Sequence, residues 1–462
     1  MKNKLINYHI YNICLLLLCL FCVALNSSFG RPIWIDEFLH FAFGSYETTA
    51  EAWNAISRSI TTINHGQTGI YMLIDHWLMQ LFGANIFWLR FPSIFSGLVL
   101  FLAAIYLFRL WGMPFLWQVI GILALFSQTQ LMYFVGEARP YMPLVTATVC
   151  TLAYYSTPLP QRTRPILTFF GLFSILMGVL FHPYFSVYWL AIIVFTYLQK
   201  LIQTGEKISI NSVIQHTNIP LSVLGTIVYF TLGLLTWLRG RPEFKFDPFY
   251  WIKKDELLTT FIDLSHFEFL QKFLDPLLIT IFVIFSIIIV FPKLRKVYLK
   301  DLISPAFLII IALGISIFLS YVSFRSDYWI LTRQWVASIS LVPLGFVWLA
   351  YRISKIFAKI HIIIAFLWIM LCLTPIVLQF HKVAIENSQA LRERLAQISV
   401  ISKEEQDYFE YLESLEYFET PKNLQNQNVD DSNQYWVSLA NQNIQQGGRV
   451  WKGFRGFYGH TK

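Results

Sequence analysis

The stretch IYNICLLLLCLFCVALNSSF, residues 10–29, runs through Gly30 into RPIWIDEFLHF, residues 31–41. The first part has the length and apolarity of a bilayer span, which needs about twenty such residues. The second puts adjacent carboxylates, Asp36 and Glu37, where the chain leaves that span, on the side away from the N-terminus. Met1-Lys2-Asn3-Lys4 ahead of an apolar run has the form of a signal peptide. No small-residue cleavage site follows it, so the expectation is an uncleaved membrane anchor.

Working outward, the rest of the chain has the same character. Hydrophobic residues make up 56% and charged residues 13%, against roughly 25% charged in a soluble domain. Mean hydropathy is +0.54. These values predict an all-α polytopic membrane protein embedded in a lipid bilayer. The formal net charge of +8 comes largely from short loops between apolar segments, which is a topology signal and gives no reason to expect nucleic acid. Cys14, Cys19, Cys22, Cys150 and Cys372 all lie inside apolar segments. That placement argues against a disulfide framework and against a CxxC metal site.

The apolar runs predict about eleven spans. They are 10–29, 91–110, 115–133, 141–157, 166–181, 184–198, 219–238, 276–291, 302–321, 335–351 and 362–380. With the N-terminus inside, the inner loops carry Arg109, Arg162, Arg164, Lys200, Lys207, Lys293, Arg295, Lys296, Lys300, Arg352, Lys355 and Lys359. An excess of Lys and Arg on one side is what fixes orientation. Residues 69–82 are apolar but too short to span, and they carry Asp75 and His76. They are expected to lie in the outer interface as an amphipathic helix. Residues 1–380 then form the transmembrane domain. Residues 381–462 are a polar external tail or small domain, whose last part lacks the apolar content to fold alone.

Several ionisable groups fall together on the outer side. Asp36 and Glu37 disfavour each other's ionisation, which suits one of them to act as a base near neutral pH. The same pair suits a divalent cation or a sugar hydroxyl, and taken alone it reads equally well as solvated loop charges. Glu137-Ala138-Arg139-Pro140-Tyr141 closes a very short outer loop, where a charged pair calls for a partner or a wet cavity. His65 precedes the interfacial helix, and His182 occupies the next tight outer turn. Arg325, Asp327 and Arg333 close the set. Arginine there suits lipid headgroups or bidentate phosphate recognition. The outer loop 237–276 is rich in aromatic and charged residues, as an acceptor-side lid or a plain interfacial segment is.

Three stretches, in order, carry a family resemblance. Trp34-Ile35-Asp36-Glu37 is one. Phe82-Gly83 followed by Leu89-Arg90-Phe91-Pro92-Ser93-Ile94-Phe95-Ser96-Gly97 is the second, and Glu137-Ala138-Arg139-Pro140-Tyr141 is the third. Over residues 10–350 the chain resembles the bacterial polyprenyl-phosphate-sugar glycosyltransferases of glycosyltransferase family 39, related to protein O-mannosyltransferases. The pattern departs at His65-Gly66-Gln67-Thr68, where the family has His-Pro-Pro-Leu, and at Arg333-Gln334-Trp335, where it has Arg-Tyr-Leu. The resemblance implies a GT-C fold with interfacial helices in the first external loop. It implies an inverting transferase, using a polyprenyl-phosphate-linked sugar and a glycan, lipid or protein acceptor, in the bacterial cytoplasmic (inner) membrane with its site on the periplasmic side. Asp36 would be the catalytic base and Glu37 would position or bind the acceptor. Glu137, Arg139, Tyr141, His65, His182 and Arg333 would bind substrate, with Arg139 and Arg333 at the leaving phosphate. No cofactor is assigned; a divalent cation, used by some relatives and not by others, would sit at Asp36 and Glu137. The competing reading is a transporter or flippase of a lipid-linked saccharide, which favours mid-membrane charges and inverted repeats. A non-catalytic membrane scaffold and a glycan polymerase are the other readings.

Overall fold

The computed structural model describes residues 2–26, 37, 40, 43–44, 46–62, 68–83, 86–126, 134–182, 185–228, 230–231, 292–326 and 336–358. The expected spans 276–291 and 362–380, the loop 237–276 and the tail 381–462 lie outside them. Among the described residues the regular structure is helical throughout. The α-helices are α1 (Lys2–Asn26), α2 (Thr49–Thr62), α3 (Ile70–Phe82), α4 (Ile86–Leu110), α5 (Phe115–Phe126), α6 (Tyr141–Ser156), α7 (Pro165–Phe173), α8 (Phe185–Thr204), α9 (Ile210–Thr217), α10 (Ile219–Val228), α11 (Pro292–Ser326) and α12 (Val336–Ala358). A π-turn, Ser174–Val179, extends α7.

Three helical stretches are long and apolar enough to cross a membrane: Phe87–Leu110, Phe185–Thr204 and Leu302–Leu319. Their exteriors suit hydrocarbon. Leu190 and Val194 on α8, and Ile310, Ile317 and Phe318 on α11, are exposed large apolar side chains. So are Ile13, Leu16, Leu17, Leu20 and Phe21 on α1. In water such bands are an association surface, whereas in a bilayer they are solvated.

The core is built around α6. Every residue from Tyr141 to Tyr155 is buried, because α6 touches α4, α7, α8 and α12 on its different sides. Its polar residues are spent locally. Thr148 and Thr151 donate to the carbonyls of Leu144 and Ala147, and Thr146 donates across to Ser96 on α4 at 2.8 Å. At one end of the bundle, Trp111 stacks on Trp348 at 4.2 Å and the Tyr351 hydroxyl donates to the Gly112 carbonyl. Cys19, Cys22 and Cys150 are buried thiols, while Cys14 is exposed.

Some loop charges are structural. Arg162 is buried, donates to the carbonyls of Thr157, His216 and Tyr155, and lies over the rings of Tyr154 and Tyr155. It therefore fastens the α6–α7 connection to α9, a role that its count as an inner-loop cation does not reveal. The basic stretch 293–300 is the beginning of α11. Lys and Arg are good helix formers, so the charges extend the helix beyond its apolar part.

Between α1 and α4 lie two amphipathic helices, α2 and α3. α3 is bracketed by Gly69 at φ 76° and Gly83 at φ 89°. Only glycine adopts that backbone freely, so the helix has a sharp entry and exit. Its span matches the expected interfacial segment 69–82. α4 begins at Ile86, earlier than the expected 91, which puts Arg90 inside its first turns.

Gly178 holds the α7–α8 hairpin closed. A Cβ there would fall 2.4 Å from Cδ1 and 2.5 Å from Cγ of Phe185, at the root of a wholly buried ring. The ring cannot swing clear, so the helices must part. We expect Gly178→Ala to cost about 1–3 kcal/mol and to lower the thermal midpoint of the detergent-solubilised protein. An unchanged midpoint would show that the hairpin can relax.

Candidate functional site

Of the residues singled out from the sequence, Glu37, Glu137, Arg139, Tyr141 and His182 come together where the acidic loop, α3, the start of α4, the turn before α6 and the α7–α8 turn meet. Glu37 and Arg90 are each 1% exposed and form a bidentate ion pair. Arg90 donates from Nε to Oε1 and from Nη2 to Oε2, both at 2.7 Å. The Ala138 backbone N–H adds a third bond to Oε1 at 2.7 Å. One carboxylate thus joins the acidic loop, α4 and the Glu137-Ala138-Arg139 turn. Desolvating such a pair is offset only by close geometry of this kind.

That turn is tight: the Arg139 N–H donates to the Glu137 carbonyl at 2.9 Å. Ser93 on α4 donates to the Arg139 carbonyl at 3.1 Å, and itself meets the Tyr71 hydroxyl of α3 at 2.7 Å. The Arg139 guanidinium donates to the Tyr141 hydroxyl at 3.2 Å and lies 5.4 Å from the centre of that ring. Glu137, Arg139, Tyr141 and His182 are all buried. The His182 ring centre is 6.2 Å from that of Tyr141. The Thr68 hydroxyl donates to the Leu180 carbonyl, and Tyr71 packs edge-on to Phe181, so α3 closes over the α7–α8 turn.

Two more side chains belong here that the sequence reading did not assign. His40 Nδ1 and Asp75 Oδ2 are 2.7 Å apart, with both side chains 0% exposed. Burial first, and then the nearby Glu37 carboxylate, push the Asp75 carboxyl well above the usual carboxylate range. Each partner had a signal in the sequence: an ionisable residue inside an apolar segment calls for a partner or a function.

The structure brings Glu37, Glu137, Arg139, Tyr141 and His182 together; Asp36, His65 and Arg333 lie outside the described residues. Arg139 lies beside Tyr141 and near His182, and a guanidinium so placed is suited to an anionic oxygen. Among the described residues, no group of three or more His, Cys, Asp or Glu side chains is placed to hold a metal ion.

Burial, and then Arg139, hold the His182 imidazole down at about 3. Its ordinary value is about 6.5, so between these values the unfolded chain binds the proton and the folded chain does not. The sign follows: stability from this group is complete above pH 6.5 and is lost as pH falls toward 3. We expect thermal stability to fall between pH 7 and pH 4, and His182→Gln to flatten part of that slope. An unaltered slope would exclude His182 as a contributor.

No family model, curated protein or solved structure matches the chain.

Proposed function

We propose that the protein is an inverting membrane glycosyltransferase of the GT-C fold. It moves a sugar from a polyprenyl phosphate to an acceptor hydroxyl at the outer face of a bacterial cytoplasmic membrane. The Lys and Arg bias of the loops argues for a cytoplasmic N-terminus, and with about eleven spans the site and tail are then outside. The observation that supports this most is the Glu37 clamp, which ties the acidic loop to the turn that carries Glu137 and Arg139. Asp36 is one peptide bond from that clamp. It takes the proton of the acceptor hydroxyl as the hydroxyl oxygen bonds to the anomeric carbon. The bond from that carbon to the phosphate oxygen breaks, and its electron pair leaves with the phosphate. Such a leaving group needs positive charge more than it needs an acid, and Arg139, with Arg333, supplies it. Glu137 orients the substrate, and Tyr141, His65 and His182 line its binding site.

The test is sugar transfer in membranes of expressing cells, with a labelled lipid-linked sugar as donor and native envelope as acceptor. Transfer by the wild type, lost in Asp36→Asn at equal protein level, supports the reading. Translocation of the donor without transfer overturns it in favour of a transporter.

A further inference from the structure

His40, Gly44 and Tyr46 of the acidic loop meet one face of α3. His40 meets Asp75. The Gly44 carbonyl lies 3.3 Å from Nδ1 of His76. A Cβ on Gly44 would meet the Met79 sulfur, so the two elements lie close enough that the thioether would have to move aside for any larger residue. The Tyr46 carbonyl accepts from Gln80 Nε2 at 2.7 Å. Positions 75, 76, 79 and 80 share one face of a helix. The loop and the helix therefore run side by side in register, with His40–Asp75 as the first rung.

That rung is the informative one. The rest of α3 is mostly apolar, and a leucine at 75 would pack there without any desolvation cost. An aspartate and a histidine, both wholly buried, cost free energy unless they meet each other closely. Such a pair specifies register where an apolar pair permits sliding. It also lies next to the site described above. His40 is three residues from Glu37, whose carboxylate is clamped to α4 and to the turn before α6. Tyr71, one helical turn before Asp75, stands edge-on to His40 with ring centres 5.3 Å apart. Its hydroxyl leads through Ser93 to the Arg139 carbonyl.

We infer that His40 and Asp75 are positioning residues: they lock the acidic loop to the interfacial helix α3, so that the seat of α3 sets how the Glu37 end of that loop is held against Arg90 and the turn that carries Arg139. The kinetic part of this inference rests on the transferase reading above; the mechanical part does not.

The experiment has two arms, on full-length protein in native membranes. In the first, Asp36→Cys is labelled with a membrane-impermeant maleimide, against the background of the native cysteines. Adding Asp75→Asn or His40→Gln should speed labelling about tenfold as the loop opens locally. The exchanged pair, His40→Asp with Asp75→His, should slow it again. In the second arm, with Asp36 intact, the same substitutions should lower kcat about a hundredfold and leave the donor KM and the amount of folded protein close to wild type. Unchanged labelling overturns the inference. So does a fall in folded protein that accounts for the whole loss of activity, since that is what a merely structural pair would give. If the wild type transfers no sugar, the transferase reading fails, and the labelling arm alone decides the mechanical part.

Discussion

Arg90→Ala is expected to cost about 3–5 kcal/mol, the range for removing one partner of a buried ion pair. The Glu37 carboxylate would keep the Ala138 N–H and lose both guanidinium bonds. It would then be a carboxylate 1% exposed that has lost the Arg90 guanidinium. Whole domains are stable by only about 5–15 kcal/mol, so most of the variant should fail to recover as monodisperse protein in mild detergent. Arg90→Lys keeps the charge but not the two-pronged fork, and should fall between. Glu37→Gln still accepts from Ala138 and should also fall between. The double variant Glu37→Leu with Arg90→Leu is the sharper comparison. It removes both charges, so it should be more stable than Arg90→Ala despite carrying two changes, because an unpaired buried charge costs more than no charge. Thermal midpoints of the four proteins check the order. An Arg90→Ala protein as stable as wild type would mean that the pair is wet and inconsequential.

The elements of this fold were legible where one local property decides them. α4, α8 and the apolar part of α11 follow from length and apolarity. α3 follows from being apolar, short and flanked by glycine. What remained hidden depends on partners far apart in the chain. Glu37 reads as a loop carboxylate; its meaning comes from Arg90 and Ala138, which meet it only when α4 and the turn before α6 are in place. Arg162 reads as one more inner-loop cation, yet its donors reach carbonyls on both sides of the bundle's loop region, including that of His216. Residue type and period say nothing about such meetings. A weaker signal was available in Arg90 and in the adjacent Asp75 and His76, ionisable residues inside runs of apolar ones. The cost of burying an ionisable group there demands a partner, and the sequence has few candidates of opposite sign nearby. The π-turn at Ser174–Val179 left no mark in the pattern, because it changes the helical register without changing composition.

On the transferase reading proposed above, Asp36→Asn is expected to cut sugar transfer by about 10²–10⁴, the usual share of a general base, without loss of folded protein. Asparagine matches aspartate in size and still hydrogen-bonds a hydroxyl, so acceptor binding should survive. It cannot take the proton as the new bond forms, so the loss should fall on kcat and not on KM. The contrast with the neighbouring carboxylate makes the result specific. Glu37 is committed to Arg90 and Ala138, so Glu37→Gln should lose activity in step with stability, and Asp36→Asn should lose activity alone. Asp36→Glu keeps the base on a longer arm and should recover part of the rate. Initial rates at several donor and acceptor concentrations, normalised to folded protein, separate these outcomes. Full transfer by Asp36→Asn would remove Asp36 as the base and make Glu137 the next carboxylate to be tested in its place.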